Sequence, residues 1–185
     1  LPKQARNDEV QPSVSEILET RLVPWPDEAA CALSARAVAA HAALADAFVE
    51  LHGPLGAGKT TFVRYLLQAL GVEGRIKSPT YALMESYAAA GVHGGYAIAH
   101  FDFYRFDDPA EWEDAGFRDV FAERGLKLVE WPEKAAGLLP TCDLRITISP
   151  RDGDAQIDSD DGGDDIAARD VRFEALTPNG RALLP

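Results

Sequence analysis

The chain has 185 residues, a length that suits one domain with a sizeable core, and its 46% of hydrophobic residues is ordinary for a globular protein. No apolar run is long enough to span a bilayer. A formal net charge of −12 argues against tight binding to nucleic acid through a broad basic face, because phosphate contacts need Lys and Arg; a protein partner carrying the nucleic acid remains compatible with it.

Residues 1–19 read as a flexible tail. Leu1 to Thr20 is polar, with Pro2 and Pro12 and no apolar centre, unlike a signal peptide. From residue 20 to residue 185 the pattern predicts one domain. Arg21 to Pro24 reads as a short edge strand that Pro24 ends. Trp25 to Ala29 opens a helix whose positive N-terminal end suits Asp27 and Glu28. Ala30, Leu33, Ala37, Val38 and Ala40 form an apolar stripe, so this helix is expected to cover a sheet. Cys31 and Cys142 lie far apart without a CxxC pattern and read as free thiols, as in a reducing, cytoplasmic compartment.

Ala47 to His52 reads as a buried strand. It runs into Gly53-Pro-Leu-Gly-Ala-Gly-Lys-Thr60, which fits G-x-x-x-x-G-K-[ST] without a gap. Gly56 and Gly58 lack Cβ atoms, so the backbone can bend tightly and bring its N–H groups to phosphate oxygens. Lys59 can set an ammonium against the β- and γ-phosphates, and the Thr60 hydroxyl can ligate Mg²⁺. Phe62, Leu66, Ala69 and Leu70 follow at helical spacing, with Gly71 as the stop. Strand, loop and helix together make this a phosphate-binding loop and not a chance glycine-rich turn.

Gly71 to Tyr81 reads as a structured loop. Thr80 to Tyr87 and Tyr96 to Phe103 read as two strands joined by a long, glycine-rich connection. Period two puts His100, Asp102 and Tyr104 on one face of the second strand and Phe101 and Phe103 on the other. Pattern alone favours a half-buried strand with a wet side. A two-His zinc site lacks further ligands at suitable spacing. Pro109 to Ala115 fits a short helix that Gly116 ends, and Phe117, Val120 and Phe121 continue an apolar face. Leu126 to Trp131 is an apolar strand carrying Glu130 at its end. Asp143 to Ser149 alternates as an antiparallel strand should, as does Val171 to Leu176, and Pro178-Asn-Gly180 reads as a turn.

The segment 151–169 is rich in Asp and has no base between Asp152 and Asp165. As a calcium loop it fails: counted from Asp158, the twelfth position is Arg169 where a Glu is needed. It is expected to be a solvated, disordered acidic loop between two strands.

Turnover needs more than a phosphate loop. In folds of this kind an acidic residue at the end of a neighbouring strand faces the bound Mg²⁺, which points to Glu130. Asp102 could orient or deprotonate an attacking water. Its alternative role is to anchor Arg105 or a backbone turn.

Four motifs occur in order: Gly-x-x-Gly-Ala-Gly-Lys-Thr-Thr at 53–61, Lys-Ser-Pro-Thr-Tyr at 77–81, His-Phe-Asp-x-Tyr-Arg at 100–105 and Val-Glu-Trp-Pro at 129–132. In these the chain, from about Pro24 to Ile148, resembles the TsaE family (also called YjeE), the bacterial ATPases of tRNA threonylcarbamoyladenosine synthesis. The resemblance implies a single α/β P-loop NTPase-like domain with a mixed central sheet flanked by helices. It implies a required ATPase whose partners TsaD and TsaB carry out the threonylcarbamoyl transfer, with TsaC making the activated intermediate. ATP and Mg²⁺ are the implied cofactors. Thr60 and Glu130 would hold the metal, and Lys59 would contact phosphate. Gly56, Ala57, Gly58, Thr60 and Thr61 would cradle the nucleotide, with Trp131 beside it. Asp102 would be needed for hydrolysis, and Ser78 to Thr80 matches a switch-like loop. The chain departs from the family at the glycine-rich connection near 91–95 and at the acidic segment.

Two other functions use the same loop. A small-molecule kinase would want an arginine-rich lid, whereas Arg64, Arg75 and Arg105 are scattered. A nucleotide-gated binding module with negligible turnover would use the same residues. No Asn-Lys-x-Asp guanine-reading motif is present, which leaves ATP favoured.

Overall fold

One seven-stranded sheet runs through the computed structural model, which describes residues 16–90, 94–151 and 168–185. Its strands are β1 (Glu19–Trp25), β2 (Phe48–His52), β3 (Met84–Ala88), β4 (Ala97–Asp102), β5 (Leu126–Glu130), β6 (Leu144–Pro150) and β7 (Arg169–Ala175). They lie in the order β1-β7-β6-β2-β5-β4-β3. The centre, β6-β2-β5-β4, is parallel, while β1, β7 and β3 pair antiparallel with their neighbours. The sheet is therefore mixed, and its helices make the domain α/β. Among the described residues no helix is long and apolar enough to cross a membrane.

Period two sorts the parallel strands between two cores. Val49, Leu51, Ile98, Leu126 and Leu128 face α1 (Glu28–Ala39) and α2 (Lys59–Ala69). Phe48, Phe101 and Val129 face the other way, with Phe103, Trp112 and Phe117. That second core is an aromatic cluster around α3 (Pro109–Asp114) and α4 (Phe117–Ala122), in which Phe101 stands 5.2 Å edge-on to Phe117. His100, Asp102 and Glu130 share the α2 side of the sheet. Their strand ends converge on the loop that leaves β2, because β2 and β5 are parallel neighbours.

Several local expectations are corrected. Helix α1 does begin behind Asp27, whose carboxylate accepts from Ala30 N at 2.9 Å. Its buried face, however, is Cys31, Ala32, Ser34, Ala35, Val38 and Ala39, and Leu33 is 62% exposed. Trp25 sets this rotation: its Nε1 donates to Ser34 Oγ at 2.8 Å while its ring stacks on Phe62 at 5.7 Å. Small residues thus face α2, and the helices approach closely. Strand β1 is an edge strand as expected, but it runs past Pro24, which pairs with Asp170. Strand β3 starts at Met84, so Thr80 to Leu83 belongs to the preceding loop. Strand β6 is antiparallel to β7 yet parallel to β2. Pro178–Arg181 is a helical turn, α5, capped by Thr177. Strand β4 has no wet side: His100 is fully buried and Asp102 is 3% exposed.

Cys31 and Cys142 are free and buried. Most of the expected tail (residues 1–15), Gly91 to His93 of the β3–β4 connection, and residues 152–167 of the acidic segment, with the calcium-loop alternative, lie outside the described residues.

Candidate active site

The loop between β2 and α2 turns on three glycines at positive φ: Gly53 at 142°, Gly56 at 74° and Gly58 at 104°. At Gly53 a Cβ would also lie 2.3 Å from the carbonyl oxygen of Ile148, so neither its conformation nor its neighbour admits a side chain. At Gly56 nothing lies within 4 Å of a Cβ, and the loop backbone there faces open space. That space is a cavity of about 460 Å³ lined by the loop, Thr60, Thr61, Ser78, Thr80, Asp102, Tyr104, Glu130, Trp131 and Arg169. Every residue expected to bind or act on a nucleotide therefore borders one cavity. The N-terminus of α2 opens onto it, and the first turn of a helix offers backbone N–H groups of the kind that bind anions.

Lys59 is 5% exposed, and its ammonium donates to Gly53 O at 2.7 Å and Pro54 O at 2.9 Å. Burial holds its pKa below the ordinary lysine value, while Glu130, Glu133 and Asp102 pull the other way. One face of the Trp131 ring lies 4.0 Å from this ammonium, and Tyr104 packs on Trp131 at 5.0 Å. Trp131 has φ 57° and ψ 47°. A bulky residue held left-handed stores about 1–3 kcal/mol of strain, a feature that clusters at functional sites.

The Thr60 hydroxyl lies 2.8 Å from Glu130 Oε2 and 3.0 Å from Oε1, and donates to the carboxylate. Thr60 comes from the first turn of α2 and Glu130 from the end of β5, so two hard oxygen donors meet beside the phosphate loop. Such a pair suits Mg²⁺, which takes one or two protein oxygens and completes its shell with phosphate and water. Among the described residues no group of three or more His, Cys, Asp or Glu is placed to hold a metal without a ligand's help.

Asp102 is hydrogen-bonded at both oxygens. Oδ2 accepts from Thr80 Oγ1 at 2.6 Å and from Ser78 Oγ, and Oδ1 accepts from Tyr104 N at 2.9 Å. The backbone-turn anchor weighed for Asp102 is thus present, whereas Arg105 lies instead over the Tyr81 ring at 4.5 Å.

Two contacts of the site were not read from the sequence, although His100 stands in the motif at 100–105. His100 Nε2 sits 2.9 Å from Glu130 Oε1. The register pairs Asp102 with Glu130 and His100 with Leu128, so the imidazole reaches diagonally along one face. Only a known strand order could have revealed that. Arg169 opens β7 and donates to Ala57 O at 3.2 Å and Gly56 O at 3.3 Å, bracing the loop from outside. Nothing around Arg169 in the sequence marks it, since the contact spans more than a hundred residues.

The family model for "Threonylcarbamoyl adenosine biosynthesis protein TsaE" matches residues 25–157. A tRNA threonylcarbamoyladenosine biosynthesis protein TsaE from Haemophilus influenzae is 49% identical over 54% of this chain and 61% of its own length. The protein of the same name from Bacillus subtilis is 38% identical over 57% of this chain and 63% of its own. These matches span less than two thirds of either relative. The crystal structure of Bacillus subtilis YdiB superposes with a TM-score of 0.63, covering 91% of this chain and 94% of that one at 24% identity, a likeness of P-loop NTPase-like fold.

Proposed function

The chain belongs to the TsaE family of threonylcarbamoyl adenosine biosynthesis proteins, and from that premise we propose that it hydrolyses Mg-ATP in support of threonylcarbamoylation of the adenosine next to the anticodon in tRNA. The hydrolysis would reset a complex of TsaB and TsaD. The observation that carries the reading is the Thr60 hydroxyl set 2.8 Å from the Glu130 carboxylate beside the glycine loop.

The residues divide the work. Loop N–H groups and the α2 N-terminus receive phosphate oxygens. Lys59 exchanges its two loop carbonyls for the β- and γ-phosphates. Thr60 and Glu130 hold Mg²⁺, which when bound offsets negative charge on the transferring group. Asp102 orients the attacking water, and one of its hydroxyl partners, Ser78 or Thr80, gives way to do so. Trp131 and Tyr104 wall the site. The chemistry is in-line attack of water on the γ-phosphorus, with ADP and phosphate as products.

A second reading, a nucleotide-gated module with negligible turnover, is favoured by one feature: both oxygens of Asp102 are engaged. The readings separate on phosphate release from Mg-ATP, measured for the native chain and for Glu130→Ala, each alone and with TsaB and TsaD. Hydrolysis predicts release that is low alone, rises with the partners and disappears in the variant. Nucleotide binding without release, partners present, supports the module. Release indifferent to partners and to the variant would defeat both the metal assignment and the proposed role.

A further inference from the structure

His100 is fully buried on β4, and its Nε2 is 2.9 Å from Oε1 of Glu130, itself 2% exposed. The other ring nitrogen, Nδ1, has no hydrogen-bond partner among the described residues. A carboxylate only accepts, so the proton between the two side chains sits on Nε2. An imidazolium would leave a second N–H buried and unpaired, while the neutral Nε2–H form leaves only a lone pair.

We propose that His100 is the positioning residue for Glu130: its Nε2–H fixes the carboxylate against the sheet and reserves Oε2 for the cation side of the site. The proposal rests on the reading of Thr60 and Glu130 as magnesium-side oxygens. Among the described residues two side chains donate to Glu130, and they come from different parts of the fold. Thr60 belongs to the helix that meets phosphate and reaches both carboxylate oxygens, at 3.0 and 2.8 Å. His100 belongs to the rigid sheet and meets Oε1 alone. When the Thr60 hydroxyl turns its oxygen to a ligand, His100 is the donor that still holds the carboxylate. Partners of this kind set the orientation of a metal-binding group, and their loss typically costs about 10–100-fold in metal affinity or activity.

The test uses the full chain. Long-range proton–nitrogen spectra of the ¹⁵N-histidine-labelled protein, without nucleotide, should show His100 with a protonated Nε2 and a bare Nδ1. The signal is assigned by its absence from His100→Gln. The Mg²⁺ concentration giving half of the ADP-induced tryptophan fluorescence change should rise about 10–100-fold in His100→Leu. His100→Gln, whose amide nitrogen can donate at similar reach, should return it to within a few-fold of native. Affinity for ADP in EDTA should match the native value in all three proteins. If the leucine variant does not fold, His100→Asn, whose amide ends short of Glu130, takes its place. An Nδ1–H tautomer, or a leucine or asparagine variant with the native Mg²⁺ midpoint, would overturn the role of His100 alone. A native chain with no Mg²⁺ dependence would overturn the proposed function and this role with it.

Discussion

The Lys59 ammonium sits 4.0 Å from the centroid of the Trp131 ring, held there by two loop carbonyls. A phosphate that draws the ammonium off this face must change the surroundings of the indole. Trp25 and Trp112, the other two tryptophans, are buried in the two cores and do not line the cavity. Intrinsic fluorescence should therefore shift when ADP or ATP binds, and Trp131→Phe should abolish the shift. Affinity, read by calorimetry, should fall less than about thirtyfold, since an ammonium–ring contact is worth about 0.5–2 kcal/mol. A shift that persists in Trp131→Phe would disconnect the ring from the nucleotide.

Two glycines of the same loop should fail differently. Gly53→Ala forces a Cβ to within 2.3 Å of the Ile148 carbonyl at φ 142°, so loop and β6 must separate. It should cost about 1–3 kcal/mol of stability, or several degrees of melting temperature, along with nucleotide binding. Gly56→Ala meets open space and carries only its left-handed strain. That variant should melt within about 4 °C of native yet bind nucleotide weakly, because its methyl group enters the space meant for phosphate. Thermal melts with nucleotide titrations check both, and equal melting losses would contradict the distinction.

The contrast also marks what was legible in the sequence. The loop, β2, α2 and the strand carrying Glu130 could be read because each is a local pattern, and their convergence follows from parallel strands ending on one side. Leu33 misled because apolar spacing alone does not say which face a helix buries; the Trp25–Ser34 bond and the ring contact with Phe62 decide that. Thr80 to Leu83 looked like strand but continues the loop whose Ser78 and Thr80 hydroxyls reach Asp102. The His100–Glu130 and Arg169–loop contacts depend on strand order and register, which no window of residues contains.

Below the loop, on the other face of β2, Glu50 is 8% exposed. Its Oε2 accepts from His52 Nε2 at 3.0 Å and from Arg145 Nε at 3.4 Å. Burial raises its pKa, but the His52 hydrogen bond and charge, the Cys142 thiol and Arg145 outweigh burial, and the net value lies below the ordinary 4.5. A carboxylate more acidic in the folded than in the unfolded chain binds fewer protons when folded. Its stabilisation is present above pH 4.5 and fades as pH falls through that value toward the folded one. Glu50→Gln should cost about 1.5–3 kcal/mol at pH 7. Urea unfolding at pH 7, 5 and 4 should show the gap between native and variant narrowing at the acid end; a gap that widens would reverse the sign.

Asp102 holds Ser78 and Thr80 through one oxygen and the Tyr104 backbone through the other. If its part in hydrolysis is to orient or deprotonate water, the charge matters beyond the anchoring. Asp102→Asn keeps an oxygen for Tyr104 N and presents an amide to two hydroxyls that can rotate to accept, so the fold should survive. Turnover with partners should fall about 10²–10⁴-fold, the span typical of a lost general base, while affinity for Mg-ATP stays within a few-fold. Ser78→Ala removes one clamp on the loop but leaves the carboxylate and Thr80 in place. Turnover in that variant should stay above about a tenth of native, since Thr80 still donates to the carboxylate and the net loss of one hydrogen bond is worth about 0.5–1.5 kcal/mol. Anchoring alone would make the two variants lose turnover together, with affinity falling in step because the cavity wall itself loosens. Steady-state rates and nucleotide affinities of both variants, measured side by side, separate the two roles: a loss confined to the catalytic rate and to Asp102→Asn assigns the water to Asp102, and matched losses assign it only the loop.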